Sequence, residues 1–83
     1  MKILYFAWVR EKIGLAEEDL PIPYEVRTVS QLIDWLKLRS PGHAAAFAVP
    51  GRIRCAVDQE FVTMAAAIGA AREIAFFPPV TGG

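Results

Sequence analysis

Few groups in this chain can do chemistry. It holds one histidine, His43, and one cysteine, Cys55, so no Ser/His/Asp set and no Cys/His metal spacing can be drawn from types and order alone. Glycines 14 and 69 stand singly, and no glycine-rich phosphate loop is present. Glu17, Glu18 and Asp19 are adjacent, and neighbouring strand side chains do not converge, so the expectation is a solvated edge. The remaining candidate is the end of the sequence, Phe76-Phe77-Pro78-Pro79-Val80-Thr81-Gly82-Gly83. A Gly-Gly end lacks Cβ atoms and can enter a channel that any side chain would block. It would carry one carboxylate, that of Gly83. The two prolines fix φ and remove donors, so a sheet ladder must stop there. The expectation is a stiff exit followed by a slender reactive tip.

The composition narrows the setting. The 83 residues allow one domain, with Lys and Arg (9) balancing Asp and Glu (9). Evenly spread, balanced charge argues against a nucleic-acid surface. A hydrophobic content of 54% is high for so short a chain and leaves apolar surface for a partner. One cysteine excludes an intrachain disulfide and suits a reducing compartment. There is no signal-like start and no apolar run of membrane-spanning length, so a cytoplasmic location without membrane association is expected. Cys55 alternates with Ile53 and Val57 and is expected to be a buried structural thiol, while His43, after Pro41-Gly42, is expected to lie in a surface loop.

Elements able to position the tail follow from periodicity. Residues 2–9 read as a strand, with Ile3, Tyr5 and Val9 inward and Phe6 and Trp8 outward. Residues 10–15 read as a connection, and residues 17–22 as an edge strand able to form a hairpin with the first. Thr28-Val29-Ser30-Gln31 fits a capping box, and Val29, Leu32, Ile33 and Leu36 recur at helical spacing over residues 29–38. Residues 43–48 could add a helical turn. Residues 52–57 alternate as a half-buried strand with Arg52 and Arg54 outward, Asp58-Gln59-Glu60 forms a turn, and Phe61-Val62 returns. The alanine-rich residues 64–72 have helical propensity. Residues 73–77 form the last strand, placing Ile74 and Phe76 inward and Phe77 outward.

Three segments carry a resemblance to a known family. The terminal octet, the start Leu4-Tyr5-Phe6-Ala7-Trp8-Val9-Arg10-Glu11 and Ala56-Val57-Asp58-Gln59 are similar to the sulfur-carrier small subunits of molybdopterin synthase. The octet is the most specific of the three, and weaker similarity extends over the whole chain. The resemblance implies an α+β fold, the ubiquitin-like β-grasp, with a mixed sheet and one main helix on one face. It divides the chain into a β-grasp domain, residues 1–78, and a flexible functional tail, residues 79–83. It implies that a ubiquitin-activating-type adenylyltransferase uses ATP to adenylate Gly83, that a sulfur-donor enzyme converts it to a thiocarboxylate, and that Gly82 gives the tip access. Sulfur then passes to precursor Z inside the large synthase subunit. The chain would be no enzyme on its own and would hold no permanent cofactor. Phe6, Trp8, Phe77, Pro78, Pro79, Val80 and Thr81 would contact partners. A sulfur carrier for thiamin or tRNA thiolation, a protein modifier and a plain binding domain are the competing readings. Where relatives carry an acidic Asp-Gly-Asp-Glu-like turn, this chain has Ile68-Gly69-Ala70-Ala71-Arg72-Glu73, which puts partner contacts near that turn in question but not the tail chemistry.

Overall fold

The computed structural model describes residues 1–79; residues 80–83 lie outside the described residues. Five strands form one mixed sheet in the order β2-β1-β5-β3-β4. They are β1 (Lys2–Tyr5), β2 (Glu17–Asp19), β3 (Arg54–Val57), β4 (Glu60–Val62) and β5 (Glu73–Phe77). Three helices, α1 (Ala7–Ile13), α2 (Val29–Lys37) and α3 (Pro41–Ala46), and a 3₁₀ turn at Pro50–Arg52 complete the order. This is the α+β, ubiquitin-like β-grasp expected from the sequence.

The centre of the sheet joins the two ends of the described chain. β1 and β5 run parallel, with Ile3 beside Ile74 and Tyr5 beside Phe76. All four are buried. On the other side of β5, β3 runs antiparallel and sets Cys55 beside Phe76. These inward residues meet Val29, Leu32, Ile33 and Leu36, the buried stripe of α2. Of the inward set read from the sequence, all but Val57 are buried; Val57 is half-buried, and Val9 reaches the core from α1 rather than from a strand, while Arg54 is exposed and Cys55 buried. Phe47, which follows α3, is also fully buried and meets Phe76 edge-on at 5.0 Å between ring centroids.

Helix α2 begins where the capping box places it. The Gln31 amide N–H donates to Thr28 Oγ1 at 3.2 Å, and Gln31 Oε1 accepts from the Thr28 amide at 3.3 Å. The next free amides, of Val29 and Ser30, donate to the carbonyls of Ala66 and Met64. That arrangement explains why the alanine-rich segment is not a helix. Its carbonyls terminate α2, Thr28 bridges Ala67, and Ile68 is buried with its amide donating to the Arg27 carbonyl. Tertiary pairing here outweighs a propensity worth only tenths of a kcal/mol per residue.

The first strand is shorter than the sequence reading. It ends at Tyr5, and the chain turns at Ala7, where φ is +52°. Residues 7–13, read as the end of a strand and a connection, form α1 instead. Gly14 closes that helix at φ +87° with its amide donating to the Arg10 carbonyl, as a left-handed C-terminal glycine does. β2 therefore pairs antiparallel with β1 across an intervening helix rather than through a tight hairpin.

Helices α1 and α3 touch through Gly42. A Cβ there would lie 2.5 Å from the Lys12 carbonyl oxygen and 3.3 Å from Ile13 Cα. Both are backbone atoms, so α1 would have to move. Gly42→Ala is expected to lower stability by about 1–3 kcal/mol through overpacking, despite the better helix propensity of alanine. The check is thermal unfolding, where the midpoint should fall by about 4–8 °C for each kcal/mol in a domain of this size.

Candidate functional site

Strand β5 leads the chain out of the middle of the sheet to Pro78 and Pro79, both half-buried. Prolines cannot donate to a ladder, so pairing ends with Phe77 beside Arg54. Because β1 is parallel to β5, the end of β1 lies at the same pole, and the Phe6 amide donates to the Phe76 carbonyl at 3.1 Å. Phe6 is therefore held at the tail exit with its side chain 47% exposed. Val80, Thr81, Gly82 and Gly83 lie outside the described residues.

The three aromatic residues read as one outward patch lie on different elements: Phe6 caps α1, Trp8 is within it, and Phe77 is on β5. Phe77 is outward on the sheet as expected. Trp8 is not on a strand; α1 carries it, half-buried, to a shallow cleft of about 320 Å³ shared with Gly51, Arg52, Pro78 and Pro79. The strand reading failed because the left-handed turn at Ala7 breaks the two-residue alternation on which it relied.

A different aromatic joins Phe77. Phe61 on β4 lies opposite Ala56, which lies opposite Ala75, so these residues share the outer sheet face. Phe61 is 83% exposed, and its ring centroid is 5.6 Å from that of Phe77. Arg54, Cys55, Val62 and the two phenylalanines line a depression of about 240 Å³ there. The sequence held the signal. Asp58 and Gln59 both adopt positive φ, +48° and +71°, the conformation of a two-residue hairpin turn. That turn fixes Phe61 against Ala56. Leu4 lies opposite Ala75 and Arg54 opposite Phe77 on the same face.

The polar residues form a separate constellation, and His43 is not in a surface loop. It is buried on α3. Its Nε2 lies 2.7 Å from Glu18 Oε2, and its Nδ1 lies 2.7 Å from Ser40 Oγ. The Tyr5 hydroxyl donates to the same Glu18 oxygen at 2.7 Å. An ionised carboxylate only accepts, so the assignment that matches every donor puts the proton on Nε2. Ser40 then donates to Nδ1 while its oxygen accepts the His43 amide, the cap of α3. Glu18 thus departs from the solvated-edge expectation, whereas Glu17 and Asp19 are exposed. Burial alone raises the Glu18 carboxyl, but hydrogen bonds from His43 and Tyr5, with the charge of Arg39, bring it below its ordinary value. The Tyr5 hydroxyl is raised, first by burial and then by its bond to Glu18.

This Ser40-His43-Glu18 chain has the residue types of a hydrolytic triad. Ser40 Oγ, however, accepts the His43 amide as the α3 cap, and no described cleft is lined by it. Its geometry ties β1, β2 and α3 together. Burial pushes the Cys55 thiol up to about 12, so it stays protonated and unreactive at neutral pH. Among the described residues no cluster of three or more His, Cys, Asp or Glu could hold a metal ion, and no helix is long and apolar enough to cross a membrane.

The network yields a pH dependence with a definite sign. The folded value of Glu18 is depressed, so its ionised form stabilises the fold above the unfolded carboxylate value. That contribution is lost as pH falls through the lower folded value. Glu18→Gln is expected to cost about 2 kcal/mol near neutral pH, since a charge-assisted pair is weakened. Below the carboxylate range its unfolding midpoint should converge on that of the wild type. Thermal melts from pH 7 to pH 3 check this.

Comparison with known proteins places these features in a wider group. The model of the ThiS family matches residues 3–83. The chain is 35% identical over 83 residues to the Escherichia coli (strain K12) protein named molybdopterin synthase sulfur carrier subunit, covering 100% of this chain and 99% of that one. It is 34% identical over 86 residues to the human protein of the same name, covering 100% of this chain and 93% of the relative. Among solved structures, SAMP1 from Haloferax volcanii superposes with a TM-score of 0.69 at 24% identity, over 99% of this chain and 97% of that one. That likeness carries the fold alone.

Proposed function

We propose, from the premise that the chain belongs to the ThiS family, that it is a ubiquitin-like sulfur carrier and serves as the small subunit of molybdopterin synthase. Its relatives by sequence bear that name over their whole lengths. The observation that carries the reading is where β5 ends. The central strand β5, paired on both sides, delivers the chain to Pro78-Pro79 beside exposed aromatic side chains, while Tyr5, Glu18, Ser40 and His43 are bonded to one another in the body. Such a body is suited to presenting a tip to partners rather than to turning over a substrate.

The chemistry belongs to the Gly83 carboxylate. A carboxylate is a poor electrophile. Its oxygen attacks the α-phosphorus of ATP in the activating enzyme, pyrophosphate leaves, and the glycyl carbon becomes open to attack as an acyl adenylate. A sulfide-level nucleophile (HS⁻) from a donor enzyme then adds to that carbon, forming the C–S bond as the C–O bond to AMP breaks, and leaves a thiocarboxylate. Residues 79–83 span up to about 17 Å when extended, at about 3.4 Å per residue, enough to reach a buried site in a large catalytic subunit and deliver sulfur to precursor Z. Gly82 keeps the path narrow. On this reading, ATP is consumed by the activating enzyme and no cofactor resides on the chain.

Deleting Gly83 is expected to abolish adenylation and sulfur gain without altering the melting of the body. One added residue should do the same, because errors near 1 Å already cost about 100-fold in rate. Gly82→Val should block entry by width. ATP–pyrophosphate exchange and intact mass after incubation with the activating enzyme and a sulfur donor are the readouts. Sulfur gain by the chain lacking Gly83 would overturn the reading. Conversion of precursor Z, rather than thiazole formation or tRNA thiolation, separates the synthase role from the other carrier pathways.

The outer face supplies the docking part of the proposal. Phe61 and Phe77 are the anchors that we assign to the large subunit, with Phe6 at the rim. Aromatic residues are typical hot spots, and truncating one costs about 2 kcal/mol or more. Phe61→Ala and Phe77→Ala should each weaken binding of the large subunit by that amount, measured by calorimetry, with the thermal midpoint nearly unchanged for the highly exposed Phe61.

A further inference from the structure

The base of the tail is bounded by two side chains that the chemistry above leaves unused. Trp8 on α1 and Arg52 in the 3₁₀ turn share one cleft with Gly51, Pro78 and Pro79. The Arg52 guanidinium carbon lies 5.9 Å from the centre of the Trp8 ring. Neither residue reaches this place by default. Trp8 would lie along the β1 line had the chain not turned at Ala7 with φ +52°. An alanine in that region is strained, and such strain persists only where the surrounding structure holds it. The turn at Pro50–Arg52 is held from the next strand, where Arg54 Nη1 donates to the carbonyls of Gly51 and Ile53 at 3.0 and 3.1 Å. Two independently fixed walls therefore border the segment at which the tail leaves the sheet.

We propose that Trp8 and Arg52 are positioning residues for the tail: they bound the arc through which Pro78-Pro79 can swing and so aim the Gly83 carboxylate. The inference rests on the sulfur-carrier reading. Its leverage is geometric. Over the roughly 17 Å reach of residues 79–83, a swing of about 10° at the base displaces the tip by about 3 Å. The activating enzyme's own groove completes the alignment. The walls therefore act before chemistry, on the fraction of encounters in which the tip is offered in a usable direction. Their removal should appear in KM for the carrier and not in kcat. A merely structural role would instead lower the folded, active fraction.

The test compares the wild type with Trp8→Leu, Trp8→Phe and Arg52→Ala in ATP–pyrophosphate exchange with the cognate activating enzyme. Trp8→Leu should raise KM about ten-fold and Arg52→Ala about three-fold, with kcat within about two-fold, as expected for loss of pre-organisation alone. Trp8→Phe keeps an aromatic wall and should restore KM. Normal exchange with an unchanged KM in Trp8→Leu would overturn the positioning role and leave the carrier reading intact. Absence of exchange in the wild type would remove the carrier reading and this inference with it. A second measurement does not depend on any variant folding. In the wild type, proton NMR should show ring protons of Pro78 or Pro79 displaced upfield by the Trp8 indole. Unshifted proline protons would overturn the inference even if Trp8→Leu failed to fold.

Discussion

The parallel pairing of β1 with β5 is the constraint on which the rest of this molecule depends. It brings residues about seventy positions apart into register, Lys2 beside Glu73 and Tyr5 beside Phe76. Parallel neighbours cannot be joined by a tight turn, so everything between them must wrap around and return. α2 fills the inner face during that return, and its buried stripe meets the inward side chains of both strands. The same pairing gathers the candidate site at one pole. Where β5 ends, β1 also ends, so Phe6 and the start of α1 necessarily flank the exit of the tail.

The polar network under α3 is the counterpart of that apolar core. Glu18 stands on an edge strand that pairs through only three residues, a weak attachment by length alone. Bonds to Glu18 from Tyr5 on β1 and His43 on α3 tie this strand to the body. A buried network of this kind is stabilising only when its members are matched, and no buried side-chain polar atom among the described residues lacks a partner. The tyrosine also faces Phe47 and Phe76 at 6.4 and 6.5 Å between ring centroids. One residue therefore couples the edge strand to the strand that carries the tail.

What the sequence revealed depended on the range of the interactions involved. Local signals were legible. Thr28 and Gln31 announced the start of α2, and the alternation of residues 52–57 placed Cys55 inside and Arg54 outside. Failures occurred where a distant partner decides the outcome. The backbone of residues 64–72 is held by the first turn of α2, which alanine propensity cannot show. His43 has no local sign of a partner, because Glu18 is twenty-five positions away and supplies the bond that makes burial tolerable. The strand reading of residues 7–9 failed for a local reason that was hard to see: Trp and Val favour strands, and an alanine at positive φ carries no glycine or asparagine to announce it. Gly14 was the available signal for α1. For the candidate site, Phe77 and the proline exit were legible from parity and residue type, whereas Phe61 needed the register across the Asp58-Gln59 turn.

The two kinds of outcome have a common physical meaning for a carrier. A domain this small has little stability to spare, so its histidine, its cysteine and its buried tyrosine and glutamate are committed to holding the fold. On the proposed carrier reading, reactivity is left to the tip beyond Pro79. Separating the two would, on that reading, let the tip be adenylated, loaded with sulfur and threaded into another protein while the body stays unchanged. The separation also sets a demand that a free tail alone could not meet. On the carrier reading, the body must give the tip a fixed origin, because a partner docked on the sheet face would have to find the tip in a constant direction. Placing that origin on the central strand, rather than on an edge that can fray, meets the demand with the pairing that the fold already needs.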